Sequence, residues 1–172
     1  MRLQLDRFES PVSTLLIVTD EQGVLRALDF ADHEARMFRL LNIHYGPHDL
    51  ERGPAPAPIT RALQDYFEGN MDALSDVHIA TSGTTFQREV WKALRNIPAG
   101  QTMAYGQLAE QLGRAGASRA VGAANGSNPI AIVVPCHRVV GANGALTGFA
   151  GGLARKRWLL DHESRSFAVG HG

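Results

Sequence analysis

The sequence predicts an α+β protein in two parts: an N-terminal α/β domain over residues 1–82 and a mostly helical C-terminal domain over residues 83–172 that contains a helix-turn-helix. Three observations carry this. Before residue 83, short β-type runs are mixed with helical patterns. After it, apolar residues recur at helical spacing in three consecutive segments. Charge divides at the same point. Met1–Ser82 holds seven Lys and Arg against thirteen Asp and Glu, a balance of −6; Gly83–Gly172 holds ten against four, a balance of +6, so the whole chain is neutral. Opposite-signed halves suggest two domains, the second suited to a polyanion; the plainer alternative is that the halves attract each other.

Composition excludes several classes. The apolar fraction, 44%, suits an ordinary globular core. The aliphatic run Ile130–Val134 is far short of the roughly 20 residues a membrane span needs. The opening "MRLQLDRFES" has charges throughout and no apolar signal core, and the one cysteine cannot form an intramolecular disulfide, so a cytoplasmic location is expected.

In the first half, "STLLIVTD" (13–20) and "VLRALDF" (24–30) read as strands joined by a turn at Glu21-Gln22-Gly23. "HEARMFRLLNIH" (33–44) places Met37, Leu40, Leu41 and His44 at helical spacing. "GPAPAP" (53–58) reads as a loop, and "ITRALQDYFEGN" (59–70) as a helix with Leu63, Tyr66 and Phe67 on one side, stopped by Gly69. His33, His44, His48 and His78 match no metal-ligand spacing, and no metal or other cofactor is expected.

The second half opens with Thr84 and, three residues on, Gln87, a capping box. Phe86, Val90, Ala93, Leu94 and Ile97 then form an apolar stripe that Pro98 ends. "YGQLAEQL" (105–112) carries Tyr105, Leu108, Ala109 and Leu112 on one face, and Gly113 closes it. "ASRAVGAAN" (117–125) repeats the spacing with Ala117, Ala120, Val121 and Ala124; helix, glycine turn, short helix is the helix-turn-helix pattern. The outer face of the second helix carries Arg119, Gly122, Ala123 and Gly126. A solvated face normally carries long charged side chains, and each glycine costs nearly 1 kcal/mol of helix propensity. Such a face permits close approach of something large, or a tight helix–helix contact.

"NPIAIVVPCHRVVG" (128–141) reads as a turn, a buried extended run and then the single cysteine, Cys136. Pro135 stiffens the chain before it. A lone buried cysteine is usually an inert hydrophobe. Here His137 and Arg138 follow, and both can favour a thiolate. Side chains of adjacent residues on a strand point opposite ways, so Cys136 and His137 can meet only if the chain turns there. "GANGALTGFAGG" (141–152) matches no nucleotide fingerprint; it reads as a hairpin tip or as a loop whose backbone approaches a flat ligand. "LARKRWLLDHES" (153–164) reads as a final helix with Arg155, Lys156 and Arg157 early and Asp161 and Glu163 late. Both biases oppose the helix dipole, so a late carboxylate makes more sense with a partner such as a histidine.

These residues resemble a known family. "GTTFQREVWKALRNIPAGQTMAYGQLAEQLG", "ASRAVGAANGSNPIAIVVPCHRVVG" and "GFAGGLARKRWLLDHE" are similar to the methylated-DNA–protein-cysteine methyltransferases, or O6-alkylguanine-DNA alkyltransferases. The likeness spans nearly all of residues 83–163; the first half matches more loosely through its order of strands and helices. It implies a ribonuclease H-like first domain and a winged-helix-like second one. It also implies DNA repair by irreversible, single-turnover transfer of the alkyl group from O6-alkylguanine, with O4-alkylthymine a further candidate, to Cys136. The implied partner is double-stranded DNA containing the lesion, bound from the minor groove with the base flipped out, and no membrane or obligate protein partner is evident.

Site roles follow from the same resemblance. Cys136 would be the nucleophile, His137 would take its proton through a water, and Glu163 would hold His137. Asn128 would orient the turn beside the site, and Tyr105 would donate a proton or hydrogen bond to the guanine ring. Tyr105, Val139, Phe149, Ala150 and Gly151 would contact the base. Ser118, Arg119, Ala120, Gly122 and Ala123 would meet the DNA, with Arg119 filling the gap left by the extruded base. Departures are Phe149 where the family often has tyrosine, Ala104 where a hydroxyl helix cap is usual, and too few cysteines for the zinc site some members carry. Rival readings are a cysteine hydrolase, which would turn over many times, and a lesion sensor, which would not need the thiol.

Overall fold

Apolar and polar residues alternate over Leu3–Asp6, within a strand that the sequence analysis leaves unassigned, β1 (Arg2–Glu9). The computed structural model describes residues 1–171, with side chains through Arg165. β1 pairs antiparallel with β2 (Thr14–Asp20), which pairs antiparallel with β3 (Leu25–Phe30). A second unassigned strand, β4 (Asp49–Arg52), joins β1 in parallel, and the sheet order is β3-β2-β1-β4.

Two helices accompany the sheet. α1 (Glu34–Tyr45) buries Met37, Leu40 and Leu41, while His44 is half-exposed and meets the Tyr45 ring edge-on. Met37 and Leu41 join Leu3, Leu16, Val18 and Ala27 in one cluster. Each large side chain buried there contributes about 1.5–3 kcal/mol. α2 (Ala57–Phe67) buries Ile59, Ala62, Leu63 and Tyr66. It starts inside the stretch read as a loop, because Pro58 is tolerated in a first helical turn that lacks N–H partners anyway. Phe67 is only half-buried and stacks on Phe8 at 6.4 Å.

Two buried carboxylates brace this unit. Asp20 accepts hydrogen bonds from the amides of Gln22 and Val24 and from Arg26 Nε, clasping the β2–β3 turn. Burial alone would raise its pKa, but those bonds and the Arg26 charge hold it below the ordinary value. Asp29 on β3 takes a 2.7 Å bond from Arg36 on α1.

The chain forms two compact units, Met1–Ser82 with Pro129–Val133, and Gly83–Asn128 with Val134–Gly172. The segment Pro129–Val133 thus clusters with the first unit although the sequence analysis leaves it in the second half. The reason is backbone pairing: Leu28 N donates to Pro129 O, and Ala131 N donates to Leu28 O.

In the second unit, α3 (Thr85–Leu94) begins with the full capping box, Gln87 N to Thr84 Oγ1 at 3.1 Å and Thr84 N to Gln87 Oε1 at 3.0 Å. Its buried face is Val90, Trp91 and Leu94, with Ile97 beyond; Phe86 and Ala93 are only half-buried. Trp91 displaces them because its indole N–H finds a partner, the Ala124 carbonyl at 2.8 Å. Gly83 makes room for that ring: φ is +128° there, and a β-carbon would come within 3.0 Å of it.

A short strand β5 (Met103–Ala104) leads into α4 (Tyr105–Gln111), whose first turn is half-capped by Gln107 Oε1 on Ala104 N. α5 (Ser118–Gly126) follows and packs on both α3 and α4. Its buried residues are Val121, Ala124 and Asn125; Ala120, expected inside, is exposed, because the inner stripe runs through Asn125 instead. β6 (Val139–Val140) pairs in parallel with β5, and α6 (Leu153–His171) ends the described chain. No helix among the described residues is long and apolar enough to cross a membrane.

Candidate active site

The run before the cysteine is buried but not extended. Ile132 has φ +71°, and Val133 N donates to Ala131 O at 2.8 Å, a γ-turn with positive φ. A β-branched residue rarely adopts that conformation, and it costs of order 1–3 kcal/mol. Pro135, at φ −83° and ψ 66°, sits at the centre of a second γ-turn closed by Cys136 N on Val134 O. Asn128 Nδ2 donates to Val134 O at 2.8 Å and so ties the two ends of the segment together.

A 3-10 turn over Cys136–Arg138 follows, which provides the bend that a strand would deny. Cys136 is 7% exposed and His137 fully buried. His137 Nε2 lies 2.7 Å from Glu163 Oε2. The hydrogen bonds of Arg138 go to Glu163 and to backbone. Its Nε and Nη2 fork onto the two Glu163 oxygens at 2.9 Å each, and Nη1 donates to Ile97 O at 2.7 Å. Burial alone would raise the Glu163 pKa, but His137 and Arg138 override it and hold the carboxyl far below the ordinary glutamate range.

An ionised carboxylate only accepts hydrogen bonds, so the proton of the His137–Glu163 contact belongs to Nε2. His137 Nδ1 is therefore the basic nitrogen, and it has no hydrogen-bond partner among the described residues. The chemistry open to this arrangement is proton removal by an oriented imidazole next to a thiol.

Glu163 does not end its helix. α6 runs on to His171, so the dipole reasoning that sought a partner for Asp161 or Glu163 does not apply. Lys156, one of the three early bases of this helix, is wholly buried, and Nζ donates at 2.7 Å to both Val139 O and Thr147 O. Burial lowers its pKa, while the charge of nearby Cys136 works the other way.

The remaining named residues fall around this core. Tyr105 packs against α5, with its ring 3.9 Å from where a Gly122 β-carbon would stand, and its hydroxyl is close to Gly148. Val139 is buried on β6, Phe149 is half-buried, Ala150 is exposed and Gly151 is buried, with Gly152 N closing a turn on Phe149 O. Ser118, Arg119, Ala120 and Ala123 are exposed on α5, and Gly122 is half-buried. Sequence reasoning missed Asn125, whose Nδ2 donates to Cys136 O at 3.3 Å. Its signal was available: Asn125 stands four residues after Val121, on the inner face. Among the described residues no group of His, Cys, Asp and Glu could hold a metal ion.

Comparison with known proteins bears on this geometry. The family model described as "6-O-methylguanine DNA methyltransferase, ribonuclease-like domain" matches residues 6–81, and that of the DNA binding domain matches residues 85–165. The methylated-DNA–protein-cysteine methyltransferase of Shigella flexneri is 55% identical over 165 residues, covering 95% of this chain and 96% of the relative. That of Salmonella typhimurium is 56% identical over the same length and shares. Among solved structures, Mycobacterium tuberculosis OGT in complex with DNA superposes with a TM-score of 0.79 at 38% identity, over 96% of this chain and 94% of that one. With two family models covering both halves and relatives above half identity along nearly the whole length, the chain belongs to the methylated-DNA–protein-cysteine methyltransferase family.

Proposed function

We propose that this protein repairs alkylated DNA by moving the alkyl group from O6 of guanine onto Cys136. The observation that carries the reading is the buried Cys136–His137–Glu163–Arg138 constellation on one 3-10 turn and one helix. His137 Nδ1, through a water, takes the thiol proton. The thiolate attacks the alkyl carbon, the S–C bond forms as the C–O6 bond breaks, and guanine leaves with the bonding pair and regains a proton. Tyr105 donates a proton or hydrogen bond to the departing ring, Val139 and the 149–151 loop hold the base, and Asn128 fixes the turn.

The second unit does both binding and chemistry, and the first is a scaffold. Ser118, Arg119, Ala120, Gly122 and Ala123 face the duplex at the minor groove, and the base swings out to reach the buried thiol. O4-alkylthymine is a further substrate of the same chemistry. No evident second group can clear the thioether, and it is not a reversible oxidation product, so each chain acts once. A single reduced cysteine is in keeping with a cytoplasmic home.

Intact-mass measurement after mixing with duplex DNA containing O6-methylguanine tests the reaction. One added methyl per chain, on Cys136, is expected; more than one equivalent of product per chain indicates a turning-over enzyme instead. Arg119→Ala tests the DNA placement. Stacking in a vacated base site is worth on the order of 1–3 kcal/mol. Repair of duplex DNA should therefore slow roughly 10- to 100-fold, at about 1.4 kcal/mol per decade, while reaction with the free alkylguanine base is unaffected. Equal loss on both substrates would assign Arg119 to the fold or the pocket.

A further inference from the structure

Two buried side-chain polar atoms among the described residues have no hydrogen-bond partner, Asn125 Oδ1 and His137 Nδ1. Buried orphans are rare and call for a reason. Both belong to residues joined to Cys136, Asn125 by a hydrogen bond and His137 by the chain. Asn125 Nδ2 holds the carbonyl of Cys136, and that carbonyl belongs to the peptide that leads into His137. The carbonyl can only accept, so it fixes which end of the Asn125 amide faces it and leaves Oδ1 as the free end. In the neutral imidazole, the form that can take a proton, Glu163 likewise leaves Nδ1 as the free acceptor nitrogen of His137. Both orphans are therefore acceptors. A group that satisfies both must bring two protons, and water does so in the smallest volume.

We infer that Asn125 is a positioning residue for the proton relay: its Oδ1 and His137 Nδ1 hold the two protons of one water, whose lone pair then faces the Cys136 thiol. This rests on the alkyl-transfer reading above. The proton count closes. The thiol proton passes to the water oxygen, the water proton facing Nδ1 passes to the imidazole, and the proton facing Asn125 stays where it is. Asn125 loses nothing and is consumed by nothing. It restricts the water to the one orientation in which it acts as a base towards sulfur. Because Asn125 lies on α5, the same helix that carries Arg119, the relay is anchored to the proposed DNA-facing element.

Asn125→Leu removes both amide functions at similar volume. Single-turnover transfer from free O6-alkylguanine, followed across pH, separates relay from scaffold. Near neutrality the variant should be slower by roughly 10²-fold, the low end for proton-transfer catalysis. The deficit should shrink as pH rises past about 8.5, where a free thiol ionises without help. Arg138, Glu163, His137 and Lys156, the charged groups around Cys136, are common to both proteins, so their own titration cancels in the ratio. On a His137→Ala background, Asn125→Leu should cost almost nothing, since the relay is already broken. A deficit constant with pH, additivity with His137→Ala, or no deficit at all overturns the inference. If Asn125→Leu does not fold, by its thermal transition, Asn125→Ala answers through the same profile. Wild-type protein that gains no alkyl mass sinks the reading of function, whereas wild-type transfer with a pH-independent variant sinks only the role of Asn125.

Discussion

Asp29–Arg36 and Glu163–Arg138 are both carboxylate–guanidinium pairs with a buried carboxylate, at 2.7 and 2.9 Å, and by distance alone they are alike. They differ in what shares the carboxylate. Asp29 Oδ1 accepts from the amide of Phe30, so its second oxygen holds backbone. Glu163 Oε2 is shared by Arg138 and His137, so its second oxygen holds an imidazole. The same ionic unit thus braces a strand to a helix in one unit and fixes a tautomer in the other. A buried ion pair is weak evidence for stability by itself, and its use is read from the third partner.

The largest test of that contrast is a matched pair of substitutions. Glu163→Gln should slow transfer roughly 10²-fold or more, the size of a general acid–base contribution, with DNA affinity nearly intact. Asp29→Asn should destabilise by about 3 kcal/mol, the upper end for a hydrogen bond between charged groups, and should leave the free-base transfer rate unchanged. Single-turnover kinetics and urea melts on both variants check this; equal slowing by both would erase the distinction. A middle-sized effect is expected from Arg138→Lys. An ammonium cannot span both Glu163 oxygens and the Ile97 carbonyl, so stability should fall by about 1.5–3 kcal/mol, one charge-assisted bond. The rate should fall less than in Glu163→Gln, because the carboxylate that orients His137 is still present.

The smallest effect is in acid. Glu163 is held below its ordinary value of 4.5, so on acidification the unfolded chain takes up this proton first. Its contribution is fully present above that value and drains away as pH falls towards the folded one. Urea midpoints between about pH 5 and about pH 3 should therefore decline, and Glu163→Gln should decline less steeply over the same range. Parallel slopes would mean that Asp20 and other carboxylates dominate the acid response.

Local signals were legible in the sequence and distant ones were not. The capping box at Thr84 and Gln87 needs only neighbours three residues apart, and it is read directly. β4 is four residues long and exists only through its pairing with β1, so nothing in "DLER" announces it. The stretch up to Val134 looks like a buried strand because it is apolar and branched. The flanks of its turn at Ile132 are held by partners earlier in the chain, Ala131 N by Leu28 O and Val134 O by Asn128 Nδ2. The pairing of Glu163 with His137 came from the resemblance and not from the helix dipole, an argument that the full length of α6 removes, and nothing local announces that Lys156 is buried, because its acceptors are the carbonyls of Val139 and Thr147, 17 and 9 residues away. Asn125 went unnoticed among alanines and glycines, although its spacing from Val121 put it inside.

Lys156 and Glu163 are seven residues apart on one helix. Seven steps of about 100° bring the second back to within about 20° of the first, two turns further on. α6 therefore works as a ruler with two marks. One is set against the carbonyl of Val139, three residues after Cys136, and the other against the ring of His137, one residue after it. A single residue inserted or deleted between the marks swings one of them about 100° off the face while changing no side chain in the site. Spacing along α6, as much as identity at either position, is thus a heritable constraint on this protein. A mutational scan that samples only substitutions passes over it, and single-residue indels between positions 157 and 162 are where it would surface.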